Sequence, residues 1–365
     1  MIGRRDFTLS AAAFALAGGG CVSVGPASAR PDDKVAKEVR RQIERGFFTC
    51  ACCGNQSGRT WTIGNRRPGS GDGLAVAASS LFEVASVSKV FAASVAAILH
   101  CRGILDIDAP FTRYIPSHAA GKDCKITLRD IASHSAGFSD SWFYRDWHGA
   151  GRFRQPGRFK DGVLAQLPSK SGPRRRYACH NMILLGYAIE HASGMDLDAA
   201  ARRYLWEPLG MDSTTWHEIP GDGRTVQVYT GGAVPLGMKG DEKARTSGSP
   251  IGNAGVFTCL DDMMKYAGDL LERRMFPREY YELMFTPSVV DGSFRRSFGW
   301  DMSAGSAPPM WSEESISHSG YTGQYVAIDP LRRKFAVVLT NALSSDPRVR
   351  REAYRSRVAL AGIVA

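Results

Sequence analysis

The chain has no Gly-x-Ser-x-Gly, no His-Glu-x-x-His, and no second cysteine pair at ligand spacing to accompany Cys50-x-x-Cys53. The first absence removes the α/β-hydrolase route to a nucleophilic serine, which needs that turn between a strand and a helix. The others remove a helical zinc protease and a four-ligand zinc site, so neither metal nor cofactor is expected. Internal repeats are lacking too. So is any recognisable nucleic-acid module, although the formal net charge is +10. The basic residues are scattered apart from Arg174-Arg175-Arg176 and Arg348-Val349-Arg350-Arg351. Charge of this kind bears on solubility and partners rather than fold, and no nucleic-acid partner is expected. With 44% hydrophobic and 22% charged residues, disorder over most of the 365 residues is excluded.

Cysteine is plentiful by contrast. Of eight, seven remain when Cys21 is set aside, so at least one is unpaired or pairs between molecules. Cys50-Ala51-Cys52-Cys53 lies in an apolar, strand-like run, where small buried thiols are common.

Residues 1–29 read as an export segment. Arg4-Arg5-Asp6-Phe7 precedes a short apolar run, Leu9 to Ala17, too short to span a bilayer. Ala27-Ser28-Ala29 then supplies the small residues of a cleavage site. The paired arginines resemble a twin-arginine signal, which places the mature chain in the periplasm or outside the cell. Cys21 is a candidate lipoprotein cysteine, but Gly18 stands where such signals usually carry Leu, which argues against lipidation. No stable membrane span is expected.

Val35, Val39 and Ile43 share one face of a terminal helix, followed by a hairpin from runs 47–53 and 59–64. A glycine-rich loop covers 69–73. A long apolar helix is predicted from near Ser86 to Arg102-Gly103. Helical patterns at 127–133 and 182–193 flank an aromatic loop, 138–160, whose Trp142, Tyr144 and Trp147 are candidate pocket residues. Strands return at 324–328 and 335–339, and a final helix follows Asp346-Pro347. Strands at both ends with helices between them predict one sheet built from both termini and a cleft beside a helical lobe.

Ser86-Val87-Ser88-Lys89 is the one S-x-x-K of the chain. A serine hydroxyl needs a nearby base or charge to become a nucleophile. On a helix, Lys89 at i+3 reaches it, and the helix N-terminus favours a developing anion. A chain of this size contains on the order of one such tetrapeptide by chance, so the surroundings decide.

Those surroundings are Phe82 to Ala92, Arg102 to Pro110, and Tyr114-Ile115-Pro116, then Ile126 to Gly137. Tyr177-Ala178-Cys179 follows, with Gly186 nine residues after the tyrosine, and later His318-Ser319-Gly320-Tyr321. Together they resemble the serine β-lactamase-like superfamily of class C β-lactamases, penicillin-binding proteins and esterases, over nearly all of residues 33–345. The resemblance implies an α/β (α+β) fold of the β-lactamase/transpeptidase type, an antiparallel sheet flanked by helices with a mostly helical lobe. It implies one catalytic domain from residue 30 to 365, with a sheet lobe at about 30–109 and 251–365 and a helical lobe at about 110–250.

The resemblance also assigns roles. Ser86 becomes the acylated nucleophile, and Lys89 and Tyr177 its activating pair. Tyr177 takes the serine proton and returns it to the leaving group, for which a cation such as Lys89 must lower its pKa from about 10. His318 and Gly320 belong to the His-x-Gly form of the Lys-Thr-Gly strand, with Gly320 letting substrate approach the backbone. The N–H groups of Tyr321 and Ser86 form the oxyanion hole. Cys179 departs from the usual Asn, whose paired donor and acceptor a thiol lacks. Asn181 is a candidate replacement against the spacing, and Cys179 itself an alternative nucleophile.

A mostly neutral His318 suits an uncharged substrate better than a carboxylate-bearing one. The expected partner is a small-molecule ester, with D-aminoacyl amides and then β-lactams as alternatives. A non-catalytic binding protein on the same scaffold is a further alternative, although Ser86, Lys89 and Tyr177 are all retained.

Overall fold

A computed structural model describes residues 33–67, 74–149, 157–169, 175–228, 234–342 and 347–365. The expected export segment with Cys21, the glycine-rich loop 69–73, and residues 150–156 of the aromatic loop lie outside the described residues.

In chain order the strands are β1 (Cys50–Asn55), β2 (Thr60–Gly64), β3 (Phe82–Glu83), β4 (Phe257–Thr258), β5 (Val289–Asp291), β6 (Phe294–Arg296), β7 (Ile316–Ser319), β8 (Tyr325–Asp329) and β9 (Lys334–Thr340). The helices are α1 (Lys34–Glu44), α2 (Ser88–Cys101), α3 (Leu128–Ala132), α4 (Phe159–Leu164), α5 (Cys179–Ser193), α6 (Leu197–Ala201), α7 (Glu207–Leu209), α8 (Glu242–Thr246), α9 (Leu260–Glu272), α10 (Arg278–Phe285) and α11 (Pro347–Val364).

Five strands form one antiparallel sheet in the order β2-β1-β9-β8-β7, so both chain ends meet at its centre. Side chains alternate between its faces. Cys50, Cys52, Val326, Ile328, Val337 and Leu339 pack with α2 and α9. Ala51, Cys53, Tyr325, Ala327, Ala336 and Val338 pack beneath α1 and α11. Both faces are therefore buried, which is why β1 and β9 read as continuous apolar runs. The same alternation sends Cys50 and Cys53 to opposite faces, so their C-x-x-C spacing makes no redox or metal pair. Burial pushes both thiols up to about 12. Among the described residues no cluster of His, Cys, Asp and Glu is arranged to hold a metal ion. No helix among them is long and apolar enough to cross a membrane.

The central helix α2 is apolar on every side and buried from Ser88 to Leu99. It begins two residues later than the sequence suggests. Ala85 takes φ of +45°, a left-handed conformation that a right-handed helix cannot run through, and Ala85–Val87 form a tight 3₁₀ turn. Ser86 sits in that turn. Its base is clamped from both sides: β3 pairs with β4, Val84 N–H donates to the Val256 carbonyl at 2.8 Å, and Val256 N–H donates to Ser88 Oγ at 3.0 Å.

Between residues 110 and 250 the chain is helical and loop-rich. Helix α3 opens on a capping box, Thr127 with Asp130, and α5 closes on Gly194 in the left-handed conformation. Helical structure also extends past residue 251 through α9 and α10. In the aromatic loop, Trp142 and Phe143 are buried core residues, so Trp142 does not serve as a pocket wall. Tyr144 is exposed, and the Trp147 side chain lies outside the description.

Candidate active site

The 3₁₀ turn, the N-terminus of α5 and strand β7 converge. Ser86, Tyr177, His318, Gly320 and Tyr321 line one cavity of about 940 Å³. Lys89 lies in the first turn of α2 with its ammonium wholly buried. Nζ donates to Ser86 Oγ at 2.9 Å, to the Asn253 carbonyl at 2.8 Å, and to Cys179 Sγ at 3.5 Å. All three ammonium hydrogens are thus directed, and Ser86 Oγ is an acceptor from a fixed cation.

Burial alone would favour the neutral amine. Cys179, Tyr177 and Asp241 outweigh it and hold Lys89 above its ordinary value. Lys89 Nζ lies 5.0 Å from the centre of the Tyr177 ring. Burial pushes the Tyr177 phenol above 10 although Lys89 pulls the other way. The resting pair is therefore ammonium and phenol.

Two imidazoles complete the surroundings of Tyr177, with ring centres 4.7 Å (His134) and 6.3 Å (His318) from its own. Burial holds both well below 6.5, with Lys89 and Arg296 acting in the same direction. His318 Nδ1 lies 3.1 Å from the Ser319 carbonyl, which keeps the proton on Nδ1 and makes Nε2 an acceptor. His134 Nδ1 faces Asn181 Nδ2 at 3.0 Å. Asn181 is fully buried and engaged there, so it does not stand in for the missing asparagine.

Position 179 keeps its place beside Lys89 as a thiol. Its backbone N–H and that of His180 donate to the Asp140 carboxylate at 2.8 and 3.1 Å, which caps α5. Burial raises the Cys179 thiol above 9, opposed by Lys89.

Gly320 lines the cavity, and a Cβ there would lie 2.6 Å from the Val84 carbonyl, so the missing side chain lets β7 close against the Ser86 turn. The Gly320 carbonyl accepts from Arg357 Nη1 at 2.7 Å. That carbonyl and the Tyr321 N–H belong to one planar trans peptide and point in opposite directions. Arg357, buried in α11, therefore fixes the direction of the Tyr321 N–H.

Three participants went unnoticed in the sequence. Asn253 supplies a backbone carbonyl, which no side-chain motif announces. Arg357 acts from the last helix, far from any motif. Arg296 lines the cavity with its guanidinium carbon 5.3 Å from the centre of the Tyr177 ring. The picture of a site without a fixed cation beyond Lys89 is therefore revised.

An antiparallel sheet packed against helices, with Ser-x-x-Lys at the start of the central helix, defines an acyl-enzyme serine hydrolase. The chain belongs to the Beta-lactamase family, whose model matches residues 38–361. It is 26% identical over 303 residues to the N-acetylmuramyl-L-alanine amidase of Bacillus subtilis (strain 168), covering 72% of this chain and 68% of that protein. Among solved structures, simvastatin synthase from Aspergillus terreus superposes with a TM-score of 0.71 at 19% identity, over 89% of this chain and 96% of that one. A class C β-lactamase from Rhodobacter sphaeroides gives a TM-score of 0.70 at 21% identity, over 91% and 99%. These superpositions establish the fold.

Proposed function

We propose that the protein is an exported carboxylesterase that cleaves small esters through an acyl-enzyme on Ser86. The observation that carries the assignment of Ser86 is its 2.9 Å hydrogen bond with the buried Lys89, at a cavity also lined by Tyr177. Loss of the Tyr177 phenolic proton to solvent gives the reactive form, a phenolate beside the Lys89 ammonium; Ser86 Oγ then attacks the ester carbon while its proton passes to that phenolate, which returns it to the departing alcohol. Water then enters by the reverse relay and releases the acid. Lys89 remains an ammonium throughout, holding Oγ and stabilising negative charge on the phenol oxygen. The N–H groups of Ser86 and Tyr321 receive the carbonyl oxygen.

The preference for esters rests on the thiol at position 179, which replaces an amide-reading side chain. The name of the Bacillus relative favours a second reading, hydrolysis of an amide. Residues 1–29, with Arg4-Arg5 and Ala27-Ser28-Ala29, support export by the twin-arginine route.

A fluorophosphonate adduct on the Ser86 peptide, measured by intact mass and peptide mapping, tests the nucleophile. An undiminished adduct in Ser86→Ala removes it. Lys89→Ala and Tyr177→Phe should each lower turnover by roughly 10²–10⁴-fold, and without additivity, since they act as a unit. Matched ester and D-aminoacyl amide panels, compared as kcat/KM, decide between the two substrate readings.

A further inference from the structure

Arg296 stands on the last position of β6, only 5% exposed, and lines the cavity beside Tyr177. One arm of its guanidinium is occupied: Nη2 donates to Asp301 Oδ2 at 3.1 Å. The other arm, Nη1, is buried without a hydrogen-bond partner. A buried donor left unsatisfied is costly, and more so on a charged group. Nothing about the strand requires arginine there, because the ladder to Val289 is made by backbone alone.

The rest of the wall carries the same sign. Arg351, Arg355 and Arg357 of α11 line the cavity with Arg296, against the single carboxylate of Asp301. Lys89 and Arg296 lie on the same phenol ring, 5.0 and 5.3 Å from its centre.

We propose that the substrate of Ser86 is an acidic ester, and that Arg296 Nη1 binds its carboxylate. This rests on the esterase reading above and specifies its substrate class. A planar guanidinium with one edge taken by Asp301 offers the free arm to one carboxylate oxygen. Arg296 then does what a lysine on the β7 strand would otherwise do, from a different element and beside the neutral His318.

The test compares two p-nitrophenyl esters of similar acyl length, the butyrate and the monoglutarate, which differ by a terminal carboxylate. Wild-type protein should favour the glutarate ester in kcat/KM by about 10–100-fold, the size of a charge-assisted hydrogen bond. Arg296→Gln should bring the ratio close to one, and Arg296→Lys should restore part of it. An equal loss on both esters would mean that Arg296 only props up Asp301, and would overturn the proposal. So would a wild-type preference for the butyrate.

Binding is read separately by calorimetry on Ser86→Ala with monomethyl glutarate and dimethyl glutarate. Tighter binding of the monoanion, with no turnover of either ester by the wild type, keeps the Arg296 site and removes the esterase reading. Equal binding of the two compounds overturns the site whatever the turnover. Neither binding arm depends on an Arg296 variant folding.

Discussion

Glu83 is a buried carboxyl three residues before the nucleophile, and its ionisation should set the pH dependence of stability. Burial and then the negative charge of Asp241 raise it from 4.5 to about 7, against the Ala85 and Gly255 N–H groups and Thr322 Oγ1, which favour the anion. Lys239, itself buried, lies on the same side and opposes the rise only in part. Between pH 4.5 and 7 the folded protein keeps this proton while the unfolded chain has released it. Folding is then linked to proton uptake, and stability falls as pH rises. At about 1.4 kcal/mol for each tenfold change in proton activity, the contribution present below pH 4.5 and gone above pH 7 is about 3 kcal/mol. Glu83→Gln keeps an acceptor for Ala85 N–H and cannot ionise. Urea midpoints from pH 5 to 9 should decline for the wild type and much less for Glu83→Gln, with the difference greatest above pH 7. Other titrating groups are common to both proteins and cancel in the difference. Parallel curves, or a wild type that gains stability across this range, would refute the reasoning.

Arg357→Met should lower kcat by roughly 10–100-fold with little change in KM, because it frees the Gly320–Tyr321 peptide to turn rather than removing a substrate contact. Part of the activity should return in Arg357→Lys, and an unchanged kcat would show that the peptide is held by the sheet alone. Gly299 has φ of +88°, and a Cβ there would overlap Ala93 on α2. Gly299→Ala should therefore cost about 2–4 kcal/mol, read as a lower urea midpoint at constant slope.

What the sequence made legible follows from how each interaction is encoded. The continuous apolar runs of β8 and β9 and the apolar length of α2 are local patterns, and these elements form close to where those patterns lie. Ser86 and Lys89 are three residues apart, so their contact is local as well. The Ala85 turn that delays α2 is not local in origin, because it is imposed by the Val84–Val256 pairing across 172 residues. Arg296 is one of two adjacent arginines in a short strand, and only the packing of Tyr177 beside it reveals a buried charge. Gly320 was legible as a glycine that mattered, but the atom that needs its missing side chain belongs to Val84, which no pattern around residue 320 indicates.

The pairing of Cys52 with Leu339 at the centre of the sheet also bears on the order of assembly. Closing so long a loop carries an entropic cost that local hairpins do not, and folds dominated by such contacts form slowly. Ser86 and Lys89 are made early, but the peptide that faces them waits for β7, and Arg357 for the helix after β9. A growing chain therefore carries its serine without the apparatus that would make it reactive. It also carries β1 with an unpaired edge until β9 arrives, so the interval before sheet closure exposes both strand backbone and apolar surface to neighbouring chains.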